Sequence, residues 1–280
     1  MTKSDTAQLP LSVSLHVLDP EQRPETVKLL TGTSVTAVEL WEPTFGKAEF
    51  HVQEMRRILA AAGVEVRTVH ANFGGSMDIS SPDSAIRSAG IQAFNTALDL
   101  AVRMEAQIVV MHPSSDTITD DERAGRIKEA KSSIQTIAGL AGQAGCRVAL
   151  ELLPRTCLGH SADELLDLVE GVDADTAGVC LDTNHLMDDF ASLPQVVRRL
   201  APRLLALHCS DYDGVDEKHW PPLRGVIDWA AFLAALRAVG FSGPLHYEAT
   251  LDGQTPAERL AFLENNYSQL VSGSDTEDQP

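Results

Sequence analysis

The chain is short of several things, and each shortage closes off a class of protein. Only four cysteines, Cys146, Cys157, Cys180 and Cys209, occur in 280 residues, and no two form a C-x-x-C pair. That excludes a disulfide scaffold or a thiolate metal site, so reduced thiols in a cytoplasmic protein are expected. No apolar run approaches the roughly 18–20 residues of a membrane span, and the opening MTKSDTAQLP carries no apolar signal core. No membrane partner is therefore expected. Basic residues are scarce: 22 Lys and Arg stand against 40 Asp and Glu, a net charge of −18. Such a field repels phosphate backbones, and no nucleic-acid partner is expected. A glycine-rich phosphate loop is also missing. NFGGS (72–76) is the nearest candidate and reads as a turn. No linker divides the chain, which predicts one domain over 1–280, with a core at about 11–270 and polar tails at 1–10 and 272–280.

What is present is a repeat of short apolar strand, loop and amphipathic helix, about eight times over. The strand candidates are LSVSLHV (11–17), VTAVEL (35–40), VEVRTVHA (64–71), AQIVVMH (106–112), CRVALE (146–151), AGVCLD (177–182), LLALHCS (204–210) and PLHYEA (244–249). Most are nearly continuous in hydrophobicity, as strands covered on both faces should be. Three- and four-residue apolar spacing marks helices, most clearly over 86–104 and 123–144. Glycines after AAA, GQA and RAV offer helix stops, and SSPDS and GHSADE offer caps. Eight such units predict an α/β fold, a single (β/α)₈ TIM barrel, with an open doubly wound sheet as the alternative. The one long irregular connection is 211–227.

In barrel enzymes the active site lies at the carboxyl ends of the strands. Here four consecutive strands close on a residue able to bind a metal: Glu151 in VALE, Asp182 in VCLD, His208 in LALH and Glu248 in LHYE. Clustered carboxylates repel one another and are costly to desolvate, and a divalent cation cancels that repulsion. Mixed carboxylate and imidazole donors suit Mn²⁺, Mg²⁺, Co²⁺ or Zn²⁺, and one such ion, Mn²⁺ first, is the expected cofactor. His70 ends strand three, His112 ends strand four, His185 follows strand six and His219 lies in the long loop, so these four are expected on the same face as substrate-binding groups. Trp41 and Phe73, near the ends of strands two and three, could wall the pocket. His16 and His246 fall inside strands one and eight; His51 and His160 fall in helices or ordinary loops.

VTAVELW, TVHANFGG, VVMHPSS, VALELL, CLDTNH, LHCSDYDG, PPLRGVIDW and PLHYEAT, in that order, resemble the xylose isomerase-like barrel superfamily. The resemblance is specifically to its sugar phosphate isomerase/epimerase branch, which also contains endonuclease IV and the ketose 3-epimerases. The likeness covers roughly 11–270. It implies that Glu151, Asp182, His208 and Glu248 bind the metal, that Glu151 and Glu248 act as the catalytic acid/base pair, and that His185 contacts a substrate oxygen. It is also compatible with a homo-oligomer. The chain departs from the epimerase pattern in one place: those enzymes carry an arginine six residues after the strand-seven histidine, where this chain has Gly214. Arg224 or Lys218 could substitute from the loop.

The reaction these residues imply is the isomerisation or epimerisation of a sugar, keto-sugar or sugar phosphate, by proton transfer next to a carbonyl through a metal-stabilised enediolate. Two alternatives use a similar site. An endonuclease IV-like multinuclear zinc phosphodiesterase would use His70, His112 and His185, with Asp216 and His219 as an imperfect third-metal pair. A metal-dependent lyase would act on an oxidised glycoside by the same enolising chemistry. A barrel with a structural metal or none is the non-catalytic reading.

Overall fold

The computed structural model describes residues 8–45, 49–115 and 117–273, of which 44, 45 and 49–51 are described by their backbone. Eight parallel strands alternate with helices. They are β1 (Leu11–Ser14), β2 (Val35–Trp41), β3 (Glu65–His70), β4 (Ile108–Met111), β5 (Arg147–Glu151), β6 (Ala177–Asp182), β7 (Leu204–His208) and β8 (Leu245–Tyr247). The helices that cover them are α1 (Pro24–Lys28), α2 (Glu49–Ala62), α3 (Ser84–Met104), α4 (Asp120–Gln143), α5 (Ala162–Leu168), α6 (Leu193–Leu200), α7 (Trp229–Ala238) and α8 (Pro256–Gly273). The sheet runs β7-β6-β5-β4-β3-β2-β1-β8. A parallel bridge between Cys209 and Tyr247, with Cys209 N–H donating to His246 O at 2.7 Å, brings its two edges together. This is the (β/α)₈ barrel expected, not an open sheet.

The alternation of each strand divides two cores. Along β5, Val148 and Leu150 face the helices and join the large outer core, while Ala149 joins Ile108, Val110, Cys180 and Ala206 inside the barrel. Parity then places Arg147 at one end of the interior and Glu151 at the other. The four cysteines are buried and outside any disulfide among the described residues, and burial pushes the Cys180 thiol up to about 12.

The local signals work as the residues suggest. Gly63, Gly145 and Gly240 end helices at φ near +70°, a conformation that costs glycine little. Asp83 and Ser161 cap α3 and α5 through the backbone N–H groups of Ala85 and Glu164. The strand expected over 11–17 is shorter than predicted. After Ser14 the chain turns through Leu15–Leu18, and the Asp19 carboxylate fastens that turn to Arg23 and Thr26. His16 therefore leaves the sheet and packs its ring 4.5 Å from that of Trp41. The stretches expected as tails are partly docked: Leu9 O accepts from the Tyr267 hydroxyl, Pro10 O accepts from Leu245 N–H, and α8 runs to Gly273. The tails' outer parts, 1–7 and 274–280, lie outside the described residues, and so does the His51 side chain. No helix among the described residues is long and apolar enough to cross a membrane.

One polar clamp lies where α4 and α5 meet. Arg123 donates to both oxygens of Glu164, at 2.8 and 2.6 Å, and Gly159 N–H donates to one of them at 2.7 Å. Burial would raise the Glu164 carboxyl, but hydrogen bonds from His160, Arg123 and Gly159 outweigh it and hold it at about 2, against an ordinary 4.5. A folded-state value below the unfolded one stabilises above the unfolded value and is lost as pH falls toward the folded one. Solvent screens part of this half-buried pair, so Glu164→Gln is expected to cost about 1–2 kcal/mol at pH 7. The gap between variant and wild type should close between pH ~4.5 and ~2. Urea denaturation at pH 7 and pH 3 checks this: a gap that does not narrow in acid removes the ionised pair as its source.

Candidate active site

The carboxyl ends of the strands form a cavity of about 500 Å³ lined by His70, Phe73, His112, Glu151, Arg155, His185, Glu217, His219 and Glu248. Glu151, the last residue of β5, sits at its base, almost wholly buried. Its Oε2 lies 3.1 Å from Nε2 of both His70 and His112, and its Oε1 lies 3.3 Å from His208 Nδ1. Glu248, one residue past β8, is half-buried at the side, with Oε2 2.6 Å from the same His208 Nδ1. Asp182 ends β6, fully buried. Its Oδ1 accepts the backbone N–H of Asn184 at 2.8 Å, and its Oδ2 has no hydrogen-bond partner. One donor atom from each of Glu151, Asp182, His208 and Glu248 lies within 4.8 Å of the others. Three carboxylates and an imidazole from four successive strands thus meet at one point, as the spacing predicted.

The electrostatics express this crowding. Burial would raise the Glu151 carboxyl, yet the His208 and His112 imidazoles hold it well below the usual carboxylate range. Glu248 is also lowered, burial again being outweighed, here by His208. Asp182 goes the other way: burial dominates and pushes its carboxyl up. Burial would lower His208, but the groups facing it, Cys180 and the Glu248, Glu39 and Glu151 carboxylates, raise it well above the ordinary histidine value. Burial also opposes His70, which hydrogen bonding and charge from Glu151 nevertheless raise to about 9. A buried Asp182 oxygen with no hydrogen-bond partner, 3.6 Å from His185 Nδ1 and belonging to a cluster with two further carboxylates and an imidazole, fits a hard divalent cation.

The remaining predicted residues divide. His70 and His112 buttress Glu151, and Phe73 stacks on the His112 ring at 3.9 Å. His185 lies in the turn after β6. Its Nδ1 contacts Leu152 O at 2.9 Å, and its ring is 5.4 Å from that of His219. Those two histidines form a second close group with Asp182. Trp41 and Arg224 are not brought to the cavity. Trp41 packs against His16, with its backbone held by the Gln22 amide. Arg224 pairs with Asp252 and lies over the Phe262 ring, and Lys218 lies 4.0 Å from Asp216.

Two residues that the sequence reading did not single out complete the site. Glu39, in the middle of β2, is buried. It accepts from the Thr68 hydroxyl at 2.8 Å, lies 3.2 Å from His208 Nε2 and lies 3.5 Å from His246 Nε2. Arg155 stands at the cavity mouth in the left-handed region (φ +55°) and reaches across to Asp216 and Glu217, both at 2.7 Å. A carboxylate inside an otherwise apolar buried strand was the available signal for Glu39. Nothing in the sequence marked Arg155.

The long loop behind this mouth is held by Asp211. It accepts from Ile227 N–H at 3.1 Å and from Trp229 Nε1–H at 2.8 Å. Gly225 allows this closure, since a Cβ there would fall 2.0 Å from Tyr212 O. The RGVIDW stretch thus closes the loop structurally and supplies nothing to the cavity.

A closed parallel barrel with a polyanionic cluster at the carboxyl ends of its strands defines a class of barrel enzymes. The chain belongs to the xylose isomerase-like TIM barrel family, whose profile matches residues 31–266. Among curated relatives, it is 24% identical over 212 residues to the ketose 3-epimerase of Arthrobacter globiformis, covering 74% of this chain and 71% of that one. It is 26% identical over 231 residues to the L-ribulose 3-epimerase of Mesorhizobium japonicum, covering 80% and 75%. Among solved structures, a D-tagatose 3-epimerase-like protein superposes with a TM-score of 0.83 at 17% identity, over 97% of this chain and 100% of its own, a likeness of fold.

Proposed function

We propose that the protein is a divalent-metal-dependent isomerase or epimerase of an unphosphorylated ketose or keto-sugar. The observation that carries this reading is the meeting of Glu151, Asp182, His208 and Glu248 at the base of a polar cavity, with the buried Asp182 Oδ2 left without a hydrogen bond. Those four residues would hold one ion, Mn²⁺ first, whose charge when bound offsets the carboxylates and polarises a substrate carbonyl. Glu151 and Glu248 would take up and return the proton at the carbon beside that carbonyl. His70 and His112 fix the Glu151 carboxylate between them, and His185 offers its Nε2 to a hydroxyl.

The cavity mouth supports a neutral substrate. Arg155 is the one Lys or Arg among the described lining residues, and two carboxylates already hold it. Glu217 presents its other oxygen, buried and without a hydrogen-bond partner, as an acceptor for a hydroxyl. A phosphate would meet no free cation there.

The purified protein should contain about one Mn, Mg, Co or Zn per chain by elemental analysis. Chelation should abolish its turnover of a panel of ketoses, followed by chromatography. Two or three zincs per chain would instead favour the phosphodiesterase reading, using Asp182, His185 and His219 as a second site. A metal-free protein that refuses reconstitution would end the metal-assisted reading.

A further inference from the structure

The end of the barrel opposite the active site holds a second polar cavity, of about 240 Å³, lined by Arg67, Arg147, Leu204, Leu205, Phe241 and Ser242 among others. It lies at the amino ends of β5 and β7 and beside the turn that leads into β8. Two guanidinium groups reach it by different routes. Arg147 opens β5 and shares the inward parity of Ala149 and Glu151. Arg67 is turned inward by an irregularity in β3: Val38 of β2 pairs with Val66 and the next residue, Glu39, pairs with Thr68, so Arg67 is the extra residue.

Among the described residues, neither arginine has a carboxylate partner. Arg123, Arg126, Arg155 and Arg224 are each paired with an acid. Arg67 and Arg147 have no salt bridge among the described residues, and no acidic residue lines the cavity. The Nε of Arg67 is buried without a hydrogen-bond partner. The chain has 40 acidic residues against 22 basic ones, yet none of the acids lines the cavity that these two arginines share. They repel each other, and an unpaired buried donor adds its own desolvation cost. A bound anion removes both penalties, and guanidinium forks match the oxygens of a tetrahedral oxyanion.

We propose that this barrel floor binds a tetrahedral oxyanion of the phosphate class, bridged between Arg67 and Arg147. The site is separate from the sugar-binding cavity, and its occupation ties β3 to β5 at the end of the barrel that in this fold serves stability. The anion is free inorganic phosphate or the phosphate group of a small ester, which share this chemistry.

Calorimetric titration of the metal-loaded protein with inorganic phosphate, at ionic strength held constant with chloride, tests the site. One saturable event per chain is expected. Binding should be at least ten-fold weaker in Arg67→Gln and in Arg147→Gln, with ketose turnover unchanged in both. Glycerol phosphate in a parallel titration separates the sources: equal binding assigns an ester, and exclusion assigns the free ion. Arg67→Lys and Arg147→Lys keep the charge and lose the fork, so they should weaken binding less than the Gln variants. They also serve as the readout if a Gln variant fails to fold. An absence of saturable binding in the wild type, or undiminished binding in the arginine variants, would overturn the proposal.

Discussion

Glu248→Gln is expected to lower ketose turnover by about 10²–10⁴-fold while leaving the thermal midpoint within a few degrees of wild type. The asymmetry follows from where Glu248 sits. It lies one residue beyond β8, half-buried, with one oxygen 2.6 Å from His208 Nδ1. Glutamine keeps its shape, so packing is undisturbed, but removes both the charge and the proton-carrying carboxylate. Glu151 is a poorer target for this test. It is almost wholly buried among His70, His112 and His208, and its removal would strip three imidazoles of their shared acceptor. Incorporation of solvent deuterium beside the substrate carbonyl should fall in parallel with turnover. A variant that retains exchange within ten-fold of wild type would show that Glu248 is no acid or base, whatever its effect on affinity.

The strand ends could be read from the sequence because their chemistry breaks a pattern. VALE, VCLD and LALH are apolar runs that stop on a group too polar for the interior, and successive strands of a parallel barrel bring such stops to one end. The same logic does not reach residues placed by loops. Arg224 follows a proline pair and is drawn to Asp252 and Phe262, away from the cavity. The cation that does reach the mouth is Arg155, four residues past Glu151. It gets there through a left-handed backbone conformation that no periodicity announces. Trp41 continues β2, but the turn at Leu15–Leu18 sets His16 against its ring, and LSVSLHV gives no hint that its strand ends at Ser14. Irregular register also hides information. The shift between β2 and β3 that turns Arg67 inward lies in the pairing of two strands and in neither alone.

Glu39 was hidden for another reason: it lies inside a strand rather than at its end, and its partners come from β3, β7 and β8. Its role sets the second large expected effect. His208 presents Nδ1 to Glu151 and Glu248 and Nε2 to Glu39, at 3.2 Å. For Nδ1 to offer a lone pair to an ion held with those carboxylates, the ring proton has to sit on Nε2, and Glu39 is the acceptor that keeps it there. Thr68 and His246 hold Glu39 in turn, and Ser12 Oγ lies 2.8 Å from His246 Nδ1, so the support extends through four strands. Glu39→Gln is expected to weaken the affinity for the divalent ion by about 10–100-fold. Competition with a metallochromic chelator measures this directly, without substrate. The variant should remain folded, because the buried charge it removes is replaced by an amide of the same size that still accepts a hydrogen bond. At saturating metal much of the turnover should return, which separates Glu39 from Glu248, whose loss no added ion repairs. An unchanged metal affinity would make Glu39 a packing partner of His208 and His246, leaving the orientation of His208 to Glu151 and Glu248 alone.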